Sequence, residues 1–524
     1  MIKSKHNVII IGAGIAGLSA ACHLNKNNVK DVVILEARDR IGGRLYPFSL
    51  TRSKSSQGNN PNNDTNEDGF SQDDFIIQLG AQWIHGASME NPLFKHCKEN
   101  GLLDDENEDV NGVSGDLDAG RFEDMRVYSS GGKLTETNVV ELGSKIYETA
   151  MKDTEQRFRS RHENLDVVEA KSLEEYYDEL VEEQLDNIKE NTTKEDVKNI
   201  ETFLSGCKLL YTHYSCDEMY KINAELYCSV PEAPGDDVGV PLNLLKSMAD
   251  TLERNRIKLN HVVKIIKWKN SNAKNISDSK DDVILEIECA DGIHEFQAQY
   301  VICTLPIGVL KHTHTEMFIP PLPKEKSDAI ENIGAGQVAK YFVEWDTCWR
   351  KNKEKDASIM LAWSEEELNG KRDFPDDWVR GITQFYPIQS SGDTYMMICW
   401  IGGDCAAIAD TLHDDDVIQG VGETLRRFLN DKHITNPNRL FRQCWTTDEF
   451  ALVGYSYPKL NAHWNDIPNL SSPLIDERTK KPLVLFAGEA AHPIFWSFLH
   501  GAQESGIEKA QTVIDNLKLI GSRD

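Results

Sequence analysis

Val8-Ile-Ile-Ile-Gly12-Ala-Gly14-Ile-Ala-Gly17, followed by Val32-Val-Ile-Leu-Glu36, is the stretch that decides the fold of this chain. Its first apolar run predicts a buried parallel strand, and a Gly-x-Gly-x-x-Gly turn and a helix of small residues follow at once. A second apolar strand then ends in an acid. Strand, turn, helix, strand and acid in this order predict a fold that binds a dinucleotide.

The glycines and the acid of this stretch have separate predicted roles. Gly12 permits the tight turn, Gly14 lets the backbone approach a pyrophosphate, and Gly17 lets the helix pack closely on the strand. The N-terminus of the helix, which is predicted over Leu18–Leu24, offers free N–H groups and a positive dipole end to that pyrophosphate. Glu36 is placed to accept hydrogen bonds from ribose hydroxyls. Without this context the glycines would indicate only a glycine-rich turn in an α/β protein.

Composition and charge limit the classes of function. A chain of 524 residues predicts two large or three ordinary domains, and a hydrophobic fraction of 40% is enough for a core. The net charge of −28 disfavours nucleic acid as a partner and favours cationic ligands in an acidic cleft. The alternative is that the acidic residues only keep the protein soluble.

Cysteine usage and hydropathy predict where the protein works. The 11 cysteines are scattered singly, without a Cys-x-x-Cys pair, which is typical of a reducing compartment and argues against a zinc site. We expect no metal centre. No apolar run approaches the roughly 18 residues that a membrane span needs. The predicted location is therefore cytoplasmic.

Further along the chain, the pattern predicts two domains built from alternating segments. Residues 52–74 are a polar, predicted flexible insertion, and the region from 91 to 237 is mostly helical and acidic. Predicted strands follow at Val338–Trp345, Gly381–Tyr386 and Tyr395–Ile401, then a helix at Asp414–Leu429. A buried strand before Glu489 and a last helix beginning near His500 return to the nucleotide-binding pattern. The dinucleotide-binding domain is predicted at residues 1–96, 235–312 and 480–524, and the substrate-binding domain at 97–234 and 313–479.

Motifs along the whole chain carry a resemblance to a known family. After the first stretch they are Gly42-Gly43-Arg44, Gly80-Ala-Gln82-Trp83-Ile-His85-Gly86, Val301-Ile-Cys-Thr-Leu-Pro306-Ile-Gly308-Val-Leu310, Gly336–Trp349 with Lys340, and Gly488-Glu489-Ala-Ala-His492 with His500–Gly506. Together they resemble the flavin-containing amine oxidase family, less clearly over about 104–234 and 350–440. The Trp83–Gly86 motif followed by Asn91-Pro-Leu93 looks most like the animal spermine and N1-acetylpolyamine oxidases.

That resemblance implies a fold, a cofactor and a reaction. The fold class is α/β, with a discontinuous Rossmann-like FAD-binding domain of the GR2 or amine oxidase type and a substrate domain of mixed sheet and helices. The implied reaction oxidises a secondary amine of spermine, spermidine or N1-acetylated polyamines with O2, giving an aldehyde, a shorter amine and H2O2. FAD is expected to be non-covalent, because Ala451–Pro458 holds no cysteine at the attachment position and Cys444 lies too early. The expected assembly is a monomer or weak homodimer without a nucleic acid or membrane partner.

Lys340 and His85 are the catalytic candidates. On its own, a strand lysine such as Lys340 is expected at a solvated edge, but the resemblance implies a water-mediated hydrogen bond to flavin N5. His85 could equally be a packed or surface histidine, and the resemblance implies a place beside the substrate, where an imidazole can handle a proton. A buried Glu489 without a partner would be costly, and a flavin ribityl or pyrophosphate group is the expected partner.

The resemblance also implies two sets of contacts. The cofactor contacts are Gly12, Gly14, Ala16, Gly17, Glu36, Arg38, Gly43, Arg44, Gly80, Gln82, Trp83, Val263, Glu489, Phe498 and Leu499. The substrate contacts are Trp83, His85, Tyr214, Asp217, Tyr457, Trp496 and Ser497.

Two departures from the family leave the substrate open. The run Trp496-Ser497-Phe498-Leu499 places large apolar groups where animal polyamine oxidases have hydroxyls, and Tyr214 falls where an acid meets a substrate ammonium. Asp217 or Glu218 could supply that acid instead. The alternatives are an oxidase of another amine and a non-catalytic flavoprotein. A histone demethylase is disfavoured because the sequence shows no long helical tower insertion, and a nicotinamide dehydrogenase would explain only about the first forty residues.

Overall fold

A computed structural model of the chain describes residues 2–50, 75–103, 122–159, 171–230, 235–253, 255–268, 283–350, 357–370, 375–388 and 394–521. The predicted insertion at residues 52–74 lies outside the described residues.

The described strands alternate with helices along most of the chain. In chain order they are β1 (Ile2–Ile11), β2 (Val32–Leu35), β3 (Pro47–Leu50), β4 (Phe75–Gln78), β5 (Trp83–Ile84), β6 (Met125–Ser129), β7 (Val238–Gly239), β8 (Ile257–Lys258), β9 (Val262–Lys267), β10 (Val283–Cys289), β11 (Gly292–Cys303), β12 (Phe318–Ile319), β13 (Ile333–Ala335), β14 (Val338–Trp345), β15 (Ser358–Ala362), β16 (Ile382–Ile388), β17 (Tyr395–Gly402), β18 (Arg439–Phe441), β19 (Ser456–Pro458), β20 (Leu474–Ile475) and β21 (Pro482–Phe486).

The described helices pack against these strands and against one another. They are α1 (Ile15–Lys26), α2 (Pro92–Glu99), α3 (Thr137–Arg159), α4 (Leu173–Ile188), α5 (Lys194–Ser215), α6 (Ala224–Cys228), α7 (Leu244–Asp250), α8 (Ile307–Met317), α9 (Lys324–Asn332), α10 (Glu365–Asn369), α11 (Gly403–Ala409), α12 (Asp414–Phe428), α13 (Asp466–Ser471) and α14 (Leu499–Gly521). None of these described helices is long and apolar enough to cross a membrane.

The first sheet is built around β1, as its apolar run predicts. Its nine described strands follow the path β12-β9-β10-β11-β1-β2-β8, with β21 paired to β11 and β20 to β21. β1 runs parallel to both β2 and β11. Because side chains alternate along a strand, Ile9 and Ile11 pack on one face with α8 and α9, whereas Val8 and Ile10 pack on the other with α1 and α14. Burial on both faces explains the unbroken apolar run.

The second sheet positions the candidate catalytic lysine. Its six described strands have the order β18-β14-β17-β16-β15-β6, and they are antiparallel except for the β15–β6 pair. Alternation along β14 sends Tyr341 and Val343 into the core beneath α12. Phe342 packs on the opposite face with residues of β3 and β4. Lys340 shares that opposite face, so the period of the strand turns it away from the α12 core.

Two segments of the predicted substrate-binding domain pack with the first sheet. β12 pairs with β9 of the first sheet, although it lies beyond the predicted boundary at 312. Ile330 of α9 and Leu470 of α13 belong to the same core as that sheet. The segments up to about Asn332 and from about Asp466 therefore pack with the first sheet. Local periodicity could not show this, because it does not indicate which sheet a two-residue strand joins.

Candidate active site and cofactor cradle

One large cavity connects the two sheets. Its volume is about 1190 Å³, and its walls include the β1–α1 turn, the segment around β5, the start of β14 and the start of α14. Pockets for one small ligand are usually about 300–1,000 Å³. This cavity therefore has room for a dinucleotide and a second molecule.

The glycines of the first turn divide into packing and lining positions. Gly12 has a φ of +99°, and a Cβ on Gly17 would lie 2.0 Å from the Gly12 carbonyl oxygen. Gly17 therefore serves helix–strand packing and does not line the cavity. Gly14 is different, since the nearest described atom to a Cβ there is the Gly42 oxygen at 4.0 Å. Its missing side chain leaves space in the cavity, as a backbone that approaches a ligand requires.

The N-terminus of α1 is open to the same space. Gly14 is the N-cap, no described side chain caps it, and Ile15 and Ala16 line the cavity. Gly43, with a φ of +58°, lies across from Gly14. Uncapped N–H groups at a positive dipole end form an anion site. These residues fit the pyrophosphate of a dinucleotide.

Glu36 and Arg38 form the wall beyond this turn. The Glu36 carboxylate accepts hydrogen bonds from Ala13 N at 2.7 Å and Arg38 N at 2.8 Å. The Arg38 guanidinium instead donates two bonds of 2.7 Å to Asp448. Both residues line the cavity, as does Val263. Arg38 therefore lies in the cavity wall, and its charge is already paired with Asp448.

The expectation for Glu489 needs a correction. Arg44 Nη1 donates to Glu489 Oε1 at 3.0 Å, and the other oxygen accepts bonds from Ser456 and from Ser497 N. The protein itself therefore satisfies this buried carboxylate, and no cofactor is needed to explain its burial. Sequence could not reveal this, because the partners lie 33 and 445 positions away along the chain.

Lys340 is buried in the cavity wall with two acceptors. Its Nζ donates to Gly80 O at 2.6 Å and to Gln82 Oε1 at 3.1 Å, and the Trp400 ring lies 5.7 Å away. Desolvation by burial lowers the pKa of Lys340 to about 7. An ammonium has three donors, so one remains beyond these two acceptors. Near neutral pH this lysine can therefore gain or lose a proton beside the cavity.

His85 is oriented by a carboxylate that the sequence did not reveal. Its Nδ1 lies 2.6 Å from Asp237 Oδ2, whose other oxygen accepts from Gly86 N at 3.1 Å. The Phe498 ring meets His85 edge to face at 5.4 Å. With Nδ1–H donating to Asp237, the neutral ring presents Nε2 as an acceptor. Pairing of β5 with β7 brings the two residues together, and such short strands leave little signal.

Aromatic side chains form a chamber beside His85. The ring of Trp496 lies 5.6 Å from Tyr227, which lies 6.1 Å from Tyr211, and His213 stacks on Trp400 at 5.1 Å. All of these residues line the cavity, together with the predicted Trp83, Tyr214, Ser497, Phe498 and Leu499. We define this group as the aromatic chamber. Its members come from β5, α5, α6, β17 and the turn before α14, so sequence spacing found just part of it.

Two predicted substrate contacts lie elsewhere. Asp217 and Tyr457 are absent from the described cavity lining. The Tyr457 hydroxyl donates to Asp217 at 2.9 Å, and Lys221 Nζ donates to the other oxygen at 2.9 Å. The chain turns at Cys216, whose φ is +72°, directly after α5 ends. Contrary to the predicted substrate contact, these two side chains contact each other and Lys221 instead of lining the cavity.

Lys221 also lies among three acids whose spacing could otherwise suggest a metal site. Asp217, Glu218 and Asp404 bring carboxylate oxygens close together. Lys221 Nζ lies 2.6 Å from Glu218 and 2.8 Å from Asp404. Its ammonium therefore occupies the position that a cation would take.

Comparisons with known proteins agree with this geometry. The chain matches the model of the family described as flavin containing amine oxidoreductase over residues 15–514. It is 27% identical to the peroxisomal N(1)-acetyl-spermine/spermidine oxidase of Bos taurus, over 97% of this chain and 94% of that protein. It is 26% identical to the probable polyamine oxidase 5 of Arabidopsis thaliana, over 99% of both chains.

Solved structures share the fold. A putrescine oxidase bound to putrescine matches with a TM-score of 0.62 and 16% identity, covering 98% of this chain and all of that one (100%). At this identity the likeness concerns the fold alone, which is the α/β architecture of an FAD amine oxidase. The chain belongs to the flavin-containing amine oxidoreductases, and it is an enzyme whose dinucleotide cofactor is FAD.

Proposed function

We propose that this enzyme is a polyamine oxidase. Its substrates would be spermine, spermidine or N1-acetylated polyamines, oxidised at a secondary amine. The reaction consumes O2 and water and yields an aldehyde, a shorter amine and H2O2. The observation that carries the proposal is the single cavity in which a dinucleotide cradle continues into the aromatic chamber. Relatives named for acetylated polyamines and polyamines, similar over nearly the whole chain, support it.

The cavity residues can position and deprotonate such an amine. Bound FAD supplies the acceptor for the hydride and passes the electrons to O2. Nε2 of His85 can accept the proton of the substrate nitrogen, and Asp237 holds the ring in that orientation. Aromatic faces favour a cation and exclude water from it. Lys340, held by Gly80 and Gln82, can exchange a proton with a neighbouring water.

We also propose that FAD is held without a covalent bond. Among the described residues that line the cavity, the cysteine is Cys228, which lies beside Tyr227 in the aromatic chamber. The glycine turn and the N-terminus of α1 are the groups that would hold the dinucleotide.

The first prediction tests the proposed reaction. Anaerobic mixing of the holoenzyme with spermine, spermidine or N1-acetylspermine should bleach the flavin absorbance, since hydride transfer needs no O2. Admission of O2 should restore the colour and release H2O2. Persistent yellow colour with all three amines would contradict the proposal.

A second candidate is a flavin oxidase of another amine. Phe498 lies against His85, and Tyr214 brings no charge to the chamber, so a less cationic amine would also fit. A peroxide assay over a panel of monoamines, diamines and polyamines separates the two candidates. Turnover of monoamines alone would favour the second. A non-catalytic flavoprotein would bind FAD and turn over none of them.

A further prediction concerns Asp237 as the positioning residue for His85. Asp237→Asn removes the anionic acceptor from Nδ1–H, so kcat/KM should fall about tenfold, less than the roughly 10²-fold that loss of a general base can cost. His85→Gln should cause the larger loss. Steady-state kinetics across pH 6–9 measures both. The control is Asp236→Asn, the neighbouring acid, which is absent from the described cavity lining; equal losses for both acids would argue against positioning.

The location and partners remain predictions. All 11 cysteines are free thiols, which suits the predicted cytoplasm. Two relatives carry the word peroxisomal in their names, so that compartment is the competing proposal. We propose a monomer or weak homodimer without nucleic acid or membrane partners.

A further inference from the structure

We propose that Glu155 binds the distal ammonium of the substrate, the one farthest from the oxidised carbon, in exchange for Arg159. The inference rests on the proposed oxidase function and narrows its substrate class to amines that carry a second cation.

The two residues lie in the last turn of α3, at the cavity wall. Arg159 Nη2 donates to Glu155 Oε2 at 3.0 Å, and both residues line the cavity beside Tyr227 and Cys228. Burial raises the pKa of Tyr227 and of the Cys228 thiol, and the nearby charge of Glu155 adds to both shifts. Glu155 therefore stands next to the aromatic chamber.

The aromatic chamber forms a continuous wall between His85 and this pair. Phe498 contacts His85, and Trp496, two positions earlier, packs against Tyr227 at 5.6 Å. An extended aliphatic amine with its reacting nitrogen near His85 would follow these rings. Its far end would then arrive at Glu155.

Two of the other acids that line the cavity, Glu316 on α8 and Glu449 beside Asp448, lie on the side of the first sheet and Arg38. The other three have described partners within its walls. Glu36 accepts two backbone N–H groups, Glu489 pairs with Arg44, and Asp237 orients His85. The Glu155–Arg159 pair differs because its side chains are 32% and 41% exposed. An exposed pair on one helix is weak, so a substrate ammonium can replace Arg159 at little cost. Arg159 would then face any further ammonium and oppose longer cations.

The test measures binding with two probes of equal length. 1,8-Diaminooctane and octylamine differ only in the second ammonium, and anaerobic titration of the holoenzyme flavin spectrum, before any bleaching, gives both Kd values. We expect wild type to prefer the diamine by roughly two- to fivefold, the worth of one partly exposed ion pair. Glu155→Gln should abolish this preference, and Arg159→Gln should increase it several-fold.

Matched controls lie on the same helix. Glu148 and Arg157 are exposed residues of α3 that are absent from the described cavity lining. Glu148→Gln and Arg157→Gln should leave the preference unchanged. With spermine, Glu155→Gln should raise KM and leave kcat nearly constant, because the distal end does not touch the reacting atoms.

Two results would overturn the inference. One is an unchanged diamine preference in Glu155→Gln, and the other is weaker diamine binding in Arg159→Gln, which would make the arginine an attractive contact. Failure of the proposed function has a different signature, since no amine would then bleach the flavin whatever the Kd values of the two probes.

Discussion

Replacing Lys340 with methionine is expected to lower the rate by roughly 10²- to 10⁴-fold, the usual contribution of a positioned acid or base. Methionine has a similar length but cannot exchange a proton with a water beside the cavity. Gly80 O and Gln82 Oε1, which now accept from Lys340 Nζ, would lose that donor. FAD binding should persist, because Lys340 lies on β14, away from the glycine turn.

The pH dependence follows from the burial of Lys340. Burial lowers its pKa in the folded protein to about 7, below its ordinary value of 10.5. With neutral Lys340 as proton acceptor, the wild-type rate should rise as the pH passes 7, and Lys340→Met should lack that rise. The stability of the wild type should also rise with pH, because the folded state disfavours the charged amine. The destabilisation is complete below about pH 7 and disappears as pH approaches 10.5.

The variant should therefore be slower and more stable than wild type, with the largest gain in Tm below pH 7. Stopped-flow kinetics and thermal unfolding at pH 6, 8 and 10 measure both effects. The matched control is Lys267→Met, a strand lysine paired with Glu286 outside the described cavity lining. An unchanged rate and pH profile in Lys340→Met would rule out a catalytic role for this lysine.

The element pattern was predictable wherever periodicity and burial agree. β14 has the predicted bounds Val338–Trp345, and β17 begins at the predicted Tyr395, because their apolar residues pack on a buried sheet. β12 and α13 lie in the predicted substrate-binding segment but pack with the first sheet, since a short element takes its partner from tertiary packing. Local sequence specifies a strand, and only the folded chain specifies its neighbours.

The sequence identified more of the residues that line the cofactor cradle than of those that line the substrate part of the cavity. Cofactor residues such as Gly14 and Glu36 sit in one contiguous motif, so the sequence itself carries their geometry. Substrate residues such as Asp237 and Glu155 come from separate elements and have no local pattern. Asp217 shows the converse, because it was a candidate for the acid expected at Tyr214, three residues away, and a left-handed turn at Cys216 directs it to Lys221.

A pair of glycine variants should separate folding from cofactor binding. Gly17→Ala places a Cβ about 2.0 Å from the Gly12 carbonyl oxygen, where only backbone movement can relieve the clash. Overpacking of this kind costs about 1–3 kcal/mol, and we expect the upper end of that range. Gly14→Val places its side chain in open cavity instead, at a φ of −73° that valine adopts readily. Gly17→Ala should therefore impair folding, and Gly14→Val should impair cofactor binding.

Gly14→Val should fold with an apoprotein Tm close to wild type and lose at least tenfold in FAD affinity, about 1.4 kcal/mol, because the valine occupies the space beside the anion site. Gly17→Ala should lower the Tm of the apoprotein itself. Thermal unfolding of the apoproteins and FAD titration by fluorescence quenching give the two quantities independently. If Gly14→Val bound FAD as tightly as wild type, the space at Gly14 would not be part of the cofactor cradle. An unchanged Tm in Gly17→Ala would show that the β1–α1 contact can relax, and the packing argument for this glycine would then be wrong.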